Sequence, residues 1–317
     1  MSLSSFIEAA LPNDPAHHWS VSEQKRLASL LPPDAIFGRR ISLVRADINQ
    51  QWAEWFIQGI SDPYRHANQG TGYAHIFAEA LSNLEAMFPT LTLPERKELG
   101  IIIARRILSF VNGLKSARER STLDFDSRKT LLDLAGNPAR CWICGFPFSQ
   151  EAIDAFSEMR PIKDIQLPDF IDILKPIGLH KQDLRIEIDH VFPVSRGGSN
   201  FFENLRLACG WCNRHKSSSI SLYEIEGNVQ RNISTSTYFA SLPQPFWVVR
   251  TLATQGHCEH PQGCGCSART AELTVSLAQS NGAPTPTNLI TTCRAHDSLA
   301  EHRILPRKYV ANAWGIS

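Results

Sequence analysis

No stretch of this 317-residue chain reaches the run of about 18 apolar residues that a membrane-spanning helix needs, so a membrane partner is not expected. The opening Met1-Ser-Leu-Ser-Ser-Phe6 lacks the basic start and long apolar run of a secretory leader, and a cytoplasmic location is expected. A charge of one sign is also missing. The formal net charge is +1, so nothing pulls the whole molecule toward nucleic acid, and any such partner must meet a local basic face. Cysteine is absent before position 141, and no segment is of low complexity. What is present is an apolar content of 43%, ordinary for a chain with a real core, at a length that allows two or three domains. The eight cysteines fall in two clusters, 141, 144, 209, 212 and then 258, 264, 266, 293. A disulfide framework usually staples a short secreted chain, so cytosolic metal sites are the expectation here.

Residues 1–135 read as mostly helical. Ser20-x-x-Glu23 has the form of a capping box, and Ile76, Phe77, Ala80, Leu81, Leu84 and Phe88 make a helical apolar stripe. Thr92 followed by Pro94 marks a helix entry, after which Leu99, Ile102, Ile103, Ile107 and Phe110 continue at helical spacing. Asn68 to Gly72 reads as a turn. Basic residues gather at Arg105, Arg106, Lys115, Arg118, Arg120, Arg128 and Lys129, either a phosphate-contacting face or a solvated helix surface diluted by Glu119, Asp124 and Asp126. His17, His18, His66 and His75 have no partner at ligand spacing and read as surface or core histidines.

The chemistry concentrates in residues 136–220. Cys141-x-x-Cys144 and Cys209-x-x-Cys212 can hold one tetrahedral zinc, and a zinc closed by four thiolates has no open position for chemistry. Between the pairs, Ser149 caps a helix beginning at Gln150, and prolines 161, 168 and 176 interrupt the chain beyond that helix. Arg185 to Val191 alternates and reads as a strand ending near His190, with Gly197-Gly198 as a loop and a helix starting around Cys212. Asp189 and His190 point to opposite faces of a straight strand, so a bend is needed to bring both to one site. Hydrolysis of a phosphodiester needs a base near neutral pKa, a grip on the phosphate and stabilisation of the leaving oxygen. His190, Asp189, Asn204 and Asn213 are residue types that meet those needs. Residues 221–255 read as a connector rich in Ser, Thr and Asn, with an apolar stretch at Phe246-Trp-Val-Val249 that packs on something.

The run Cys-x-x-Cys at 141–144, Asp-His-Val-x-Pro-x-Ser-x-Gly-Gly at 189–198 and Glu-Asn-Leu-x-x-x-Cys-x-x-Cys-Asn-x-x-Lys at 203–216 resembles the HNH nuclease family, with its ββα-metal fold. The resemblance implies His190 as general base, Asn204 orienting it, and Asp189 with Asn213 on a catalytic magnesium- or manganese-type ion. It also implies a structural zinc on Cys141, Cys144, Cys209 and Cys212. His215 is the second choice for the Asn213 role. Arg214, Lys216, Arg196 and Arg206 either contact phosphate or lie on solvated surfaces. The 144–189 insert is longer than in shorter members of the family.

The C-terminal cysteines, in residues 256–317, suggest an altered repeat of that module. Gly198, Asn204 and Cys209 are matched in spacing by Gly282, Asn288 and Cys293. The expected second zinc set is Cys258, Cys264, Cys293 and His296, with Cys266 as the rival to Cys264 and with His257 and His260 as weaker candidates. Counting back from Asn288 as from Asn204 to His190 lands on Thr274, which cannot act as a base, and Asn213 maps to Asp297. The alternative is an ordinary zinc knuckle with chance spacings.

The fold expected is α+β: a helical N-terminal part, a ββα-metal module and a small zinc-bound C-terminal module. The function expected is endonucleolytic cleavage of DNA, RNA not being excluded, since a metal-plus-base site asks for no free chain end. The competing class is a nucleic-acid-binding or scaffold protein with two structural zincs. A third reading is a defence effector nuclease switched by a signal or a regulatory protein partner, with the helical part as sensor.

Overall fold

The computed structural model describes residues 1–11, 20–118, 124–225 and 238–316, in two compact units, Met1–Ala46 and Asp47–Ser317. His17, His18 and Arg120 lie outside the described residues, as does the side chain of Arg118. In the first unit, α1 (Leu3–Ala10) and α2 (Val21–Ala28) begin at serine caps. Ser2 accepts from the Ser5 N–H, and Ser20 accepts from the Glu23 N–H at 3.3 Å. Each cap satisfies a donor that the first helical turn leaves open.

The second unit contains most of α3 (Ile41–Ile60), followed by α4 (Pro63–Gln69), α5 (Tyr73–Met87) and α6 (Leu93–Arg118). Asp62 caps α4 ahead of a proline in the first turn, and Gly70 ends it in the left-handed region. Thr92 and Glu95 close a capping box at the start of α6, with the Thr92 N–H on the Glu95 carboxylate at 2.7 Å. The expected stripe is the core of this helical layer: Ile76, Ala80 and Leu84 of α5 meet Ile103, Ile107 and Val111 of α6. His66 is fully buried in it, bonded through its two ring nitrogens to Ser61 and Thr71, each at 2.7 Å. Ile102, by contrast, faces outward.

Next come α7 (Phe125–Leu134), α8 (Gln150–Ser157, capped by Ser149), β1 (Phe170–Asp172), β2 (Ile186–His190), β3 (Leu205–Cys209) and α9 (Gly210–Lys216). The chain closes with α10 (Pro245–Gln255), β4 (Leu273–Leu277), β5 (Leu289–Cys293), α11 (Ala300–Arg303), β6 (Ile304–Pro306) and α12 (Arg307–Ala313). Among the described residues the strands make three antiparallel pairs, β2–β3, β4–β5 and β1–β6. Positions 135, 220 and 255 all fall within the second unit. The β1–β6 pair ties the long insert to the far C-terminus, and the stretch read as a connector contains α10. That helix is too apolar to be a linker: Phe246, Trp247, Val248, Val249 and Leu252 are buried where it packs on α9 and on β4 and β5.

One contact sets where α6 lies beside the β2–β3 hairpin. A Cβ on Gly113 of α6 would stand 2.3 Å from the Gly197 Cα. Gly197 itself has φ 94°, and a Cβ there would stand 2.6 Å from the Phe110 Cα. Helix and loop therefore touch backbone to backbone, which only glycine allows. Gly197→Ala is expected to lower unfolding free energy by about 1–3 kcal/mol through this overpacking, read as a lower urea midpoint.

Candidate active site

Residues 141–146 fold into a tight knuckle, with the Cys141 N–H on the Phe146 carbonyl at 2.9 Å and the Gly145 N–H on the Cys141 carbonyl at 2.8 Å. The Trp142 N–H docks that knuckle on the Leu207 carbonyl of β3 at 3.0 Å. Cys209 ends β3 and Cys212 sits in the first turn of α9, so the four thiols meet where knuckle, strand and helix join. All four are 0% exposed, and their sulfurs lie within 4.8 Å of one another, with Cys144 and Cys209 at 4.0 Å. A tetrahedral zinc with bonds of about 2.3 Å sets sulfurs about 3.8 Å apart, so this donor set fits one. Burial pushes the Cys209 and Cys212 thiols well up. Burial also opposes ionisation of Cys141, but hydrogen bonds from the other three thiols hold it well below the usual range. A bound cation displaces the protons that four such buried thiols share.

His190 ends β2 opposite Leu205. Its ring is half-buried, with Nε2 at 2.8 Å from the Asn200 Oδ1. An amide oxygen only accepts, so Nε2 carries the hydrogen in this bond, and in a neutral ring Nδ1 is then the acceptor nitrogen. Asn204 does something else. Its Oδ1 accepts from the Phe192 N–H at 2.8 Å, and its Nδ2 donates to the carbonyls of Phe192 and Ser199. It brackets both ends of the loop after His190, and the ring itself is held by Asn200. Residues 178–219, which contain this hairpin and α9, match the family model described as HNH endonuclease. The chain carries an HNH domain. No curated protein and no solved structure matches the chain.

In this HNH domain, Asp189, His190 and Asn213 line one open cavity of about 710 Å3, together with Asn200, Arg128 and Arg214. The Asp189 carboxylate is 3% exposed, with Oδ1 at 2.9 Å from Lys216 Nζ and Oδ2 at 3.0 Å from the Trp142 indole N–H. Burial pushes this carboxyl up, against the pull of Lys216 and Trp142. Asn213 donates to Glu187 Oε2 at 2.6 Å. Glu187 and Asp189 share a face of β2, two residues apart, so Lys216 and Asn213 on one helix meet both. His215 packs at a tilt against Trp211 and lines a separate cavity, so Asn213 and not His215 reaches the His190 side.

The four flanking cations have partners in the protein. Lys216 also donates to the His190 carbonyl at 2.6 Å, and Arg214 pairs with Asp183. Arg196 pairs with Glu54 and Glu224, and Arg206 donates to three carbonyls of its own turn. Two residues of the site, Asn200 and Glu187, do not stand out in the sequence. Glu187 carries a signal in its strand alternation with Asp189. Asn200 has none, because its reach depends on how the loop closes.

The second thiol cluster also meets. Ligand atoms of Cys258, Cys264, Cys293 and His296 lie within 4.8 Å of one another, while the His257 ring turns to Gln255. Lys216→Met should leave the Asp189 carboxylate buried without its ammonium. A loss of about 3–5 kcal/mol in unfolding free energy is expected, read by urea titration.

Proposed function

We propose that the chain is a metal-dependent HNH endonuclease that hydrolyses phosphodiester bonds in DNA. The observation that carries this reading is the His190 ring, anchored through Nε2 on Asn200 at the wall of a cavity that Asp189 and Asn213 also line. Nδ1 is then the atom that takes the proton from a water. The hydroxide so formed adds to phosphorus as the opposite P–O bond breaks. A histidine suits this step at neutral pH because its free pKa lies near 6.5.

Asp189 and Asn213 offer hard oxygen donors, which suit magnesium or manganese. Asn213 turns its side-chain N–H to Glu187, which leaves the side-chain amide oxygen as the end that can ligate a cation. Each Asp189 oxygen has one donor shown, and an ionised carboxylate has about four acceptor positions. A bound ion there supplies charge for the leaving oxygen and a grip on the phosphate. The cavity's own cations act on the same charge, with Arg128 held on its rim by the Phe156 carbonyl and ring. Arg105, Arg106 and Lys115 are exposed on α6, the helix pressed against the loop after His190. They give the phosphate backbone a route to the site despite a net charge of only +1.

Plasmid DNA with magnesium or manganese tests the proposal. Wild type should nick or linearise it, and His190→Ala should be slower by at least about 100-fold. Asn200→Ala frees the ring and should lower the rate while the chain stays folded by circular dichroism. Equal inertness of wild type and His190→Ala would remove the catalytic reading in favour of a binding protein.

A further inference from the structure

We propose that residues 256–297 are a second copy of the HNH domain's metal hairpin, emptied of catalysis and holding its own zinc through Cys258, Cys264, Cys293 and His296. The two segments repeat each other hydrogen bond by hydrogen bond. In the first knuckle the Cys141 N–H meets the Phe146 carbonyl and the Phe148 N–H meets the Ala139 carbonyl, at 2.9 and 3.0 Å. In the second, the Cys258 N–H meets the Cys266 carbonyl and the Ala268 N–H meets the Gly256 carbonyl, at 2.9 and 3.0 Å. The bridge Arg140–Pro147 recurs as His257–Ser267. Trp142 docks on Leu207 of β3, and Glu259 docks on Thr291 of β5, again through N–H to carbonyl, at 3.0 and 2.8 Å. Each docking residue comes directly after the first cysteine of its knuckle, and each acceptor lies two residues before the cysteine that ends the strand.

The far end of the hairpin repeats as well. The Val191 N–H meets the Asn204 carbonyl at 2.8 Å, and the Ala278 N–H meets the Asn288 carbonyl at 2.9 Å. Asn204 brackets Phe192 with one amide and reaches Ser199; Asn288 brackets Gln279 with one amide and reaches Ala283. A glycine lies against each amide, and a Cβ on Gly198 or Gly282 would stand 2.9 or 2.7 Å from the asparagine Nδ2. One ordinary zinc knuckle has no need of this asparagine bracket, so chance spacing is a poor account of it.

The strand register says what each position became. Cys209 pairs with Ile186, and Cys293 pairs with Leu273. Leu277 therefore stands where His190 stands, and Ser276 where Asp189 stands. Thr274, the residue reached by counting along the sequence, takes the place of Glu187, because the second hairpin's loop is three residues shorter. Asp297, in the place of Asn213, is spent on the Arg303 guanidinium, whose Nε lies 2.8 Å away, and Arg303 is 1% exposed. The base and both proposed cation donors have been replaced, while three of the four thiol positions are kept and the fourth, that of Cys212, is His296.

The same alignment decides between Cys264 and Cys266. Cys266 occupies the place of Phe146, and the residue two before it, Cys264, the place of Cys144. Cys264 and Cys293 sulfurs are 3.9 Å apart, and the His296 Nδ1 lies 3.4 Å from Cys293 and 3.8 Å from Cys258. A zinc with three sulfurs at about 2.3 Å and one nitrogen at about 2.0 Å sets sulfur–nitrogen edges of about 3.5 Å. His260 stacks flat on His296 at 3.9 Å and holds its ring in place.

The emptied copy has a use as a brace. Its first strand residue donates to the first knuckle, Leu273 N–H to the Cys144 carbonyl at 2.7 Å, and the buried Lys175 joins Leu273 to Glu272. Cobalt loading of the full chain tests the assignment without any reading of activity. Wild type should take two cobalt ions per chain, and its visible spectrum should combine a four-sulfur and a three-sulfur, one-nitrogen site. Cys264→Ser should take one and Cys266→Ser two. His296→Cys should keep two and shift the second site's bands to the four-sulfur pattern, which serves where Cys264→Ser fails to fold. One ion in wild type, loss of an ion in Cys266→Ser alone, or an unshifted spectrum in His296→Cys would overturn the proposal.

Discussion

The four-thiol junction of Cys141, Cys144, Cys209 and Cys212 is the constraint on which the site depends. It brings a knuckle, the end of β3 and the first turn of α9 to one point with no solvent access. β2 carries His190 and is registered against β3, and α9 carries Asn213, so fixing the junction fixes these two side chains relative to each other. A hairpin of two five-residue strands is marginal by itself in water. A metal held by the four thiols would add its binding free energy to folding and so offset the apolar area that so small a module cannot bury.

What could be read in the sequence was the part set by short, rigid spacing. Cys-x-x-Cys spells a knuckle, alternation from Ile186 to Asp189 spells a strand, and serine or threonine ahead of an apolar stripe spells a helix start. Those features are decided within a turn or two of chain. What could not be read was which partner a polar side chain finds across a loop. Asn204 was expected at the imidazole, yet an asparagine at the foot of a hairpin can satisfy backbone groups at both ends of the loop at once. That left the ring to Asn200, whose position depends on Gly197 and Gly198. The shorter second loop misled in the same way, since a count along the chain assumes equal loops and pairing register does not.

Charge placement was illegible for a related reason. Arg196, Arg206, Arg214 and Lys216 flank the motif and read equally well as phosphate contacts or solvated residues. Folding gives each an internal acceptor, and Lys216 is buried against Asp189. Sequence proximity to a nuclease motif therefore overstates the positive potential of the cavity. Arg128 of α7, which lines the cavity, is likewise held by an internal acceptor, and α6, remote in sequence, is brought near by the helix–loop contact at Gly113 and Gly197.

The helix α9 shows how a site can be exact without a large core. Seven residues are too few for a helix to persist alone in water. Each side chain from Trp211 to Lys216 is engaged in turn. Trp211 is buried, Cys212 joins the thiols, Asn213 bonds Glu187, Arg214 pairs with Asp183, His215 packs at a tilt on Trp211 and Lys216 pairs with Asp189. Thiols hold one end of the helix and the Lys216–Asp189 pair holds the other, so it can neither slide nor rotate against β2. A buried ion pair often yields little net stability over an apolar pair of the same volume. Its worth here is geometric, because a leucine pair in its place would leave the axial position of Asn213 free to shift along the strand.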